Sequence, residues 1–147
     1  MKYILIILAI FILILVFLLI KRQSINKTYV LIDKIYFKAE IAKTDQQKET
    51  GLAKYRKIDN DFVMVFPFND SDYYAFWMKD MKFSIDIIYV RNNKIVDIFS
   101  AVPPPKNENE ALTIIRPKNK SDTILEINAN LSNKYKFKNG DKVYINY

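Results

Sequence analysis

The chain has 147 residues, 50% of them hydrophobic and 14% aromatic, which is material for one domain with a real core but not for two. It contains no histidine and no cysteine, which excludes serine-histidine triads, histidine bases, thiol nucleophiles, disulfides and the usual zinc or copper sites. The net charge of +7 comes from lysines scattered among acids rather than gathered into a patch, so nucleic-acid binding is not expected.

Residues 4–20 are uninterrupted by any charge and are flanked by Lys2 and by Lys21-Arg22. That length and flanking predict one N-terminal transmembrane helix. No small-residue cleavage site follows, so an uncleaved anchor is expected, and no cysteine is present to carry a lipid. The chain thus divides into an anchor, residues 1–23, and a domain, residues 24–147. Lys2 and the amino terminus nearly balance Lys21, Arg22 and Lys27 across the span, with a slight tilt toward a cytoplasmic domain. A signal-anchor at the extreme N-terminus commonly leaves the following domain outside. The expectation is therefore a single-pass cell-membrane protein with an extracytoplasmic domain.

Ser24 to Thr28 reads as a polar tether, and Tyr29 to Ala42 as one long or two short strands, with Phe37, Ala39 and Ile41 toward the core and Lys38 and Glu40 on the other face. Thr44 and Gln47 form a capping box, which predicts a helix from Asp45 through Tyr55 with Leu52 and Tyr55 buried. Gly51, one of only two glycines, suggests close packing against another element. A loop at 57–61 precedes an apolar strand, Phe62 to Phe68. A turn at Asn69–Asp72 and an aromatic strand from Tyr73 to Met78 come next.

Arg91-Asn92-Asn93-Lys94 predicts a hairpin turn, because Asn tolerates positive φ, and Ile95 to Phe99 is the partner strand. Residues 101–111, with three prolines, read as a loop. Short strands follow at 112–115 and 123–127, then a helical turn at 130–135, a turn at 139–141 and a last strand at 142–147. The fold class is α+β: a compact, barrel-like domain of mostly antiparallel strands with one clear helix.

The chemistry concentrates in Phe76 to Val90, FWMKDMKFSIDIIYV, which holds the only tryptophan. Ile85, Ile87 and Tyr89 alternate with Asp86, Ile88 and Val90, so both faces of this strand are apolar and should be covered. A carboxylate inside it, Asp86, must find water, N–H groups or a cation. Trp77, Lys79, Asp80 and Asp86, with Glu40 and Glu126 from other strands, could line one polar cleft in an aromatic wall, suited to a small polar ligand or sugar. The expected role is a non-catalytic module that binds a small ligand or serves as an envelope accessory, with a small polar ligand or an envelope component as partner. The structural counterpart is an ion pair of Lys79 with Asp86 or Glu126 that fixes the fold. The catalytic counterpart is a hydrolase-like carboxylate pair, Asp86 with Glu126 or Glu40. Asn69-Asp70-Ser71-Asp72 lacks the glycine and distal glutamate of a calcium loop and reads as a solvated turn. No metal and no cofactor is expected.

These residues resemble the domain-of-unknown-function 192 (DUF192) family over about residues 36 to 145. The match rests on Phe76-Trp77-Met78-Lys79 and Asp86-Ile87-Ile88, supported by Glu40-Ile41-Ala42, Gly51-Leu52, Phe66-Pro67, Ile95-Val96, Leu125-Glu126 and Gly140-Asp141. The sequence departs from the family at Ala53 and Tyr55, where the family has Met and Arg, and at Asp61 and Asn130, where it has glycines. Asn is the next-best residue for a left-handed backbone. The resemblance implies a small β-rich domain, commonly exported or anchored, and implies no known activity.

Overall fold

The β-branched and aromatic runs form strands as their alternation predicts, and their register places two apolar faces back to back. The computed structural model describes residues 7–8, 10–17, 28–107 and 110–146. In chain order the elements are β1 (Tyr29–Ile32), β2 (Ile35–Ile41), helix α1 (Asp45–Thr50), a 3-10 turn (Gly51–Lys54), β3 (Phe62–Asp72) and β4 (Phe76–Trp77). Next come β5 (Ile85–Arg91), β6 (Lys94–Val102), β7 (Ile114–Ile115), β8 (Ser121–Asn128), helix α2 (Leu131–Tyr135) and β9 (Val143–Asn146).

A seven-stranded sheet runs in the order β6-β5-β8-β3-β2-β1-β9, and β4 and β7 form a separate two-stranded ribbon. The main sheet is antiparallel except where β3 lies parallel to β2. Its outer strands meet at one end, where Lys94 bridges to Lys142. The amide of Val143 donates to the Asn93 carbonyl at 2.9 Å, and Ile95 donates to Asp141 at 3.0 Å. The sheet therefore curls into a barrel-like form, matching the predicted class.

Inside the curl sits one core, to which each of the seven strands contributes: Val30, Ile32, Phe37, Val63, Val65, Ile88, Val90, Ile95, Leu125, Ile127 and Val143. A second core lies on the outer face of β3, β5 and β8. There Met64, Phe66, Ile85, Ile87, Tyr89 and Ile124 are covered by Leu52, Met78 and Met81. Strand β5 is buried along its length except at Arg91, as a strand apolar on both faces must be.

The capping box at Thr44 and Gln47 forms as predicted, but the helix it starts is shorter. Gly51 adopts φ 49°, ψ −138°, which ends α1 after Thr50 and turns the chain into the 3-10 turn. The predicted turn at Asn69–Asp72 is instead the end of β3, because Asp72 still pairs with Ser121 across an irregularity in the ladder. The predicted strand from Tyr73 to Met78 shrinks to Phe76–Trp77, and the loop predicted from 101 begins after Val102. The β5–β6 hairpin turns through Asn92 and Asn93, both at positive φ. Asn130, where the family has glycine, takes φ 67°.

Residues 10–17 are helical and exposed. Most of the predicted anchor's flanks, including 1–6 and 18–27, lies outside the described residues. Among the described residues no helix is long and apolar enough to cross a membrane.

Candidate functional site

The six candidate residues do not share one site, because β5 and β8 display their acids on opposite faces of the sheet. In the register of these strands Asp86 stands opposite Ile127 and Glu126 opposite Ile87. Asp86 thus faces the barrel interior, with Ile88 and Ile127, while Glu126 faces the outer core, with Ile87 and Ile124. The predicted pairing of Asp86 with Glu126 is excluded by the alternation of the pleat.

Asp86 is fully buried and takes four hydrogen bonds, none from a lysine. Its Oδ1 accepts from the amides of Ala101 at 2.7 Å and Asn130 at 2.8 Å. Its Oδ2 accepts from the amide of Ser132 at 2.8 Å and from its hydroxyl at 2.6 Å. Asn130, the N-cap of α2, makes no side-chain cap of its own. Asp86 caps that helix from the neighbouring strand, since β5 pairs with β8 just before the chain enters α2. It also holds Ala101, at φ 54°, where β6 bulges opposite β5. The expected ion pair with Lys79 is therefore replaced by N–H donors, which satisfy a carboxylate as well as a cation can. Lys79 is exposed and makes no ion pair among the described residues.

Glu40 lies on the same face as Glu126, two strands away, since both stand opposite Met64, a separation of about 10 Å. It is spoken for by Lys54 and the hydroxyl of Tyr55. Burial opposes its charge, yet those two hydrogen bonds outweigh it and hold Glu40 below its ordinary range.

Trp77, Lys79 and Glu126 do come together, in an open cleft of about 380 Å³ between α1, the 3-10 turn and the segment from Tyr74 to Met81. Asp80 lies in an adjoining depression with Lys82 and Glu110. The cleft has the size of a small-molecule site. Leu52, Phe68, Phe76, Trp77 and Met81 give it an apolar lining, and Asp45, Lys48 and Glu49 bring charge from α1. Phe68 and Tyr74 stack at 3.7 Å with Lys48 over the Phe68 ring at 4.2 Å, so one wall is a layered cation and two rings.

Glu126 is the chemical anomaly of this cleft. It is 5% exposed, and its Oε2 has no hydrogen-bond partner. Burial raises its pKa to about 8, against the weaker pull of the Leu52 backbone, so at neutral pH the group is mainly a neutral acid. Gly51 lies directly above: a Cβ there would sit 3.7 Å from Oε2 and 3.5 Å from Phe66 Cζ. Gly51 therefore packs against Phe66 and Glu126 at ordinary contact distances, and its positive φ rather than a lack of room is what calls for glycine. Nearby, the Tyr89 hydroxyl is also buried without a partner, its pKa raised by burial and then by Glu126 and Asp97. Among the described residues no three acids converge as a metal site would need.

The sequence did not point to Lys48, Phe68 or Tyr74 as a wall, nor to Ser132 and Ala101 as partners of Asp86. The aromatic density of 66–77 was the signal for the wall. Nothing local marks the partners, which lie 15 to 46 residues away.

A curled β-sheet with an aromatic cleft on its outer face defines a small, barrel-like α+β domain. The family model for DUF192, described as "Uncharacterized ACR", matches residues 28–145, and the chain belongs to that family. It is similar to a crystal structure of a protein of unknown function from Novosphingobium aromaticivorans, with a TM-score of 0.70 and 26% identity over 80% of this chain and 83% of that one. A Sinorhizobium meliloti structure described as a candidate transcription regulator has the same TM-score of 0.70 at 22% identity, over 81% of this chain and 92% of that one, a likeness of fold alone. No curated protein matches.

Proposed function

We propose that this chain is a membrane-anchored DUF192 domain that binds a small, ring-bearing polar ligand, of the saccharide class, without turning it over. Residues 4–20 hold it in the membrane, and the domain faces away from the cytoplasm. The observation that carries the binding reading is the orphaned Oε2 of Glu126 at the floor of a cleft rimmed by Trp77. A buried polar atom without a partner costs about 1–3 kcal/mol, and a ligand hydroxyl would recover that. Trp77, 46% exposed, offers a flat apolar face on which a sugar ring can stack, and Lys79 adds a donor at the rim.

The hydrolase reading has less support. Asp86 is on the far face and fully bonded, and Glu40 is tied to Lys54 and Tyr55 outside the cleft.

Trp77 is the only tryptophan in the chain, so its fluorescence reports on this cleft alone. Titration of the full chain in nanodiscs with mono- and disaccharides should shift or quench that emission saturably, and Glu126→Gln should weaken the response. Saturable binding seen calorimetrically with no change at Trp77 would place the ligand elsewhere. Release of a cleaved product that depends on Glu126 would replace binding by catalysis.

A further inference from the structure

The outer face of β2, β1 and β9 carries an exposed aromatic patch. Pairing sets Leu31 between Tyr36 and Tyr144, and Tyr29 between Lys38 and Asn146. Tyr29 stacks on Tyr36 at 5.4 Å and leans on Tyr144 at 6.1 Å. Tyr36 and Tyr144 are nevertheless 45% and 53% exposed, so the rings cover one another only in part. Exposed Lys34 and Lys142 flank the patch where the amide of Asp33 donates to the Lys142 carbonyl at 2.8 Å. Neither lysine makes an ion pair among the described residues.

We infer that this face rests on the bilayer, its tyrosines at headgroup depth and its lysines on anionic phosphates. The inference depends on the anchor reading above, which fixes where the patch can be. Residues 21–28 separate the apolar run from β1 and can stretch no further than about 28 Å. A domain of this size is about 35 Å across, so β1, which the tether enters, is held at the membrane side.

Tyrosine is the residue that settles at a membrane interface, because its ring prefers the acyl boundary and its hydroxyl the water. Lysines are drawn to an anionic surface by its negative potential. Lys21, Arg22 and Lys27 of the tether carry the same sign as Lys34 and Lys142, so one anionic surface suits them all. The cleft, on β8 and the segments that cover its outer face, is built on strands away from β1 and β9. A domain lying on its tyrosine face keeps the cleft open to water.

The absence of cysteine makes the test direct. Asn146→Cys beside Tyr29, and Glu49→Cys at the cleft, are each labelled with an environment-sensitive fluorophore in the full chain. The chain is reconstituted in nanodiscs of phosphatidylcholine and phosphatidylglycerol at roughly three to one. Lipid-borne spin labels should quench the probe at 146 several-fold more than the probe at 49, and Tyr36→Ser with Tyr144→Ser should abolish the difference. Equal quenching at both sites, in a chain that survives carbonate washing, overturns the inference while leaving the anchor intact. A chain that washes off the membrane overturns the anchor, and this inference with it.

Discussion

Asp86 and Ser132 meet twice, the carboxylate Oδ2 accepting from both the amide and the hydroxyl of the serine inside the barrel. Because the Ser132 hydroxyl spends its proton on Asp86, the Ser100 hydroxyl at 2.7 Å must donate to Ser132. The polar chain runs from β6 through α2 to β5. It joins the β5–β6 bulge to the start of α2.

Replacing Asp86 by Asn should therefore destabilise the domain by about 2–4 kcal/mol, because the new amide sets two donors against donors that now share a carboxylate. Denaturant unfolding measures it, with Asp70→Asn, exposed near the end of β3, as a control within about 0.5 kcal/mol of wild type. Ser132→Ala should cost less, about 1–2 kcal/mol, since the amide bond to Asp86 survives. An Asp86→Asn variant as stable as the control would end the capping account.

Glu126 should make stability fall as pH rises. Its pKa is raised from 4.5 to about 8 in the folded chain, so the folded state holds a proton that the unfolded state releases. The resulting stability is complete below about pH 4.5 and is lost progressively as pH climbs through 8. Glu126→Gln, neutral throughout, should match wild type near pH 4 and exceed it near pH 9 by about 3–5 kcal/mol. Parallel pH dependences for the two proteins would show that Glu126 is charged in the fold.

Gly51→Ala should cost about 1–3 kcal/mol, through the backbone rather than through a clash. Its φ of 49° with ψ −138° is closed to residues with a side chain, whereas a Cβ would meet Phe66 and Glu126 only at ordinary contact distances. Thermal unfolding reads the loss. Gly140→Ala, at φ 95° with nothing within 4 Å, is the comparison for strain without a neighbour.

How much of this could be read from the chain depends on the range of the interaction. The capping box at Thr44, the Asn92-Asn93 turn and the two apolar faces of β5 are set by residues a few positions apart, and each was legible. Asp86 was legible as an anomaly, but its partners were not, because a carboxylate is satisfied equally by lysine or by amides and only the tertiary fold chooses. The separation of Asp86 from Glu126 follows from the β5–β8 register, which no local pattern specifies. The end of β3 was misread for a related reason: Asn69-Asp70-Ser71-Asp72 has the composition of a turn, yet pairing to Ser121 overrides it.

Trp77 and Lys79 provide the remaining test, because they separate a site from a scaffold. Both are exposed, Trp77 covers the cleft rim, and Lys79 lacks the ion pair that would give it a structural task. Trp77→Ala and Lys79→Ala should each leave unfolding within about 0.5 kcal/mol of wild type. The same changes should lower saccharide affinity at least tenfold for Trp77 and less for Lys79, since stacking excludes water whereas an exposed ammonium contributes little. Calorimetric titration beside denaturant unfolding gives both quantities on each variant. Loss of stability without loss of affinity would return these residues to the fold, and the cleft would then lose its two rim contacts.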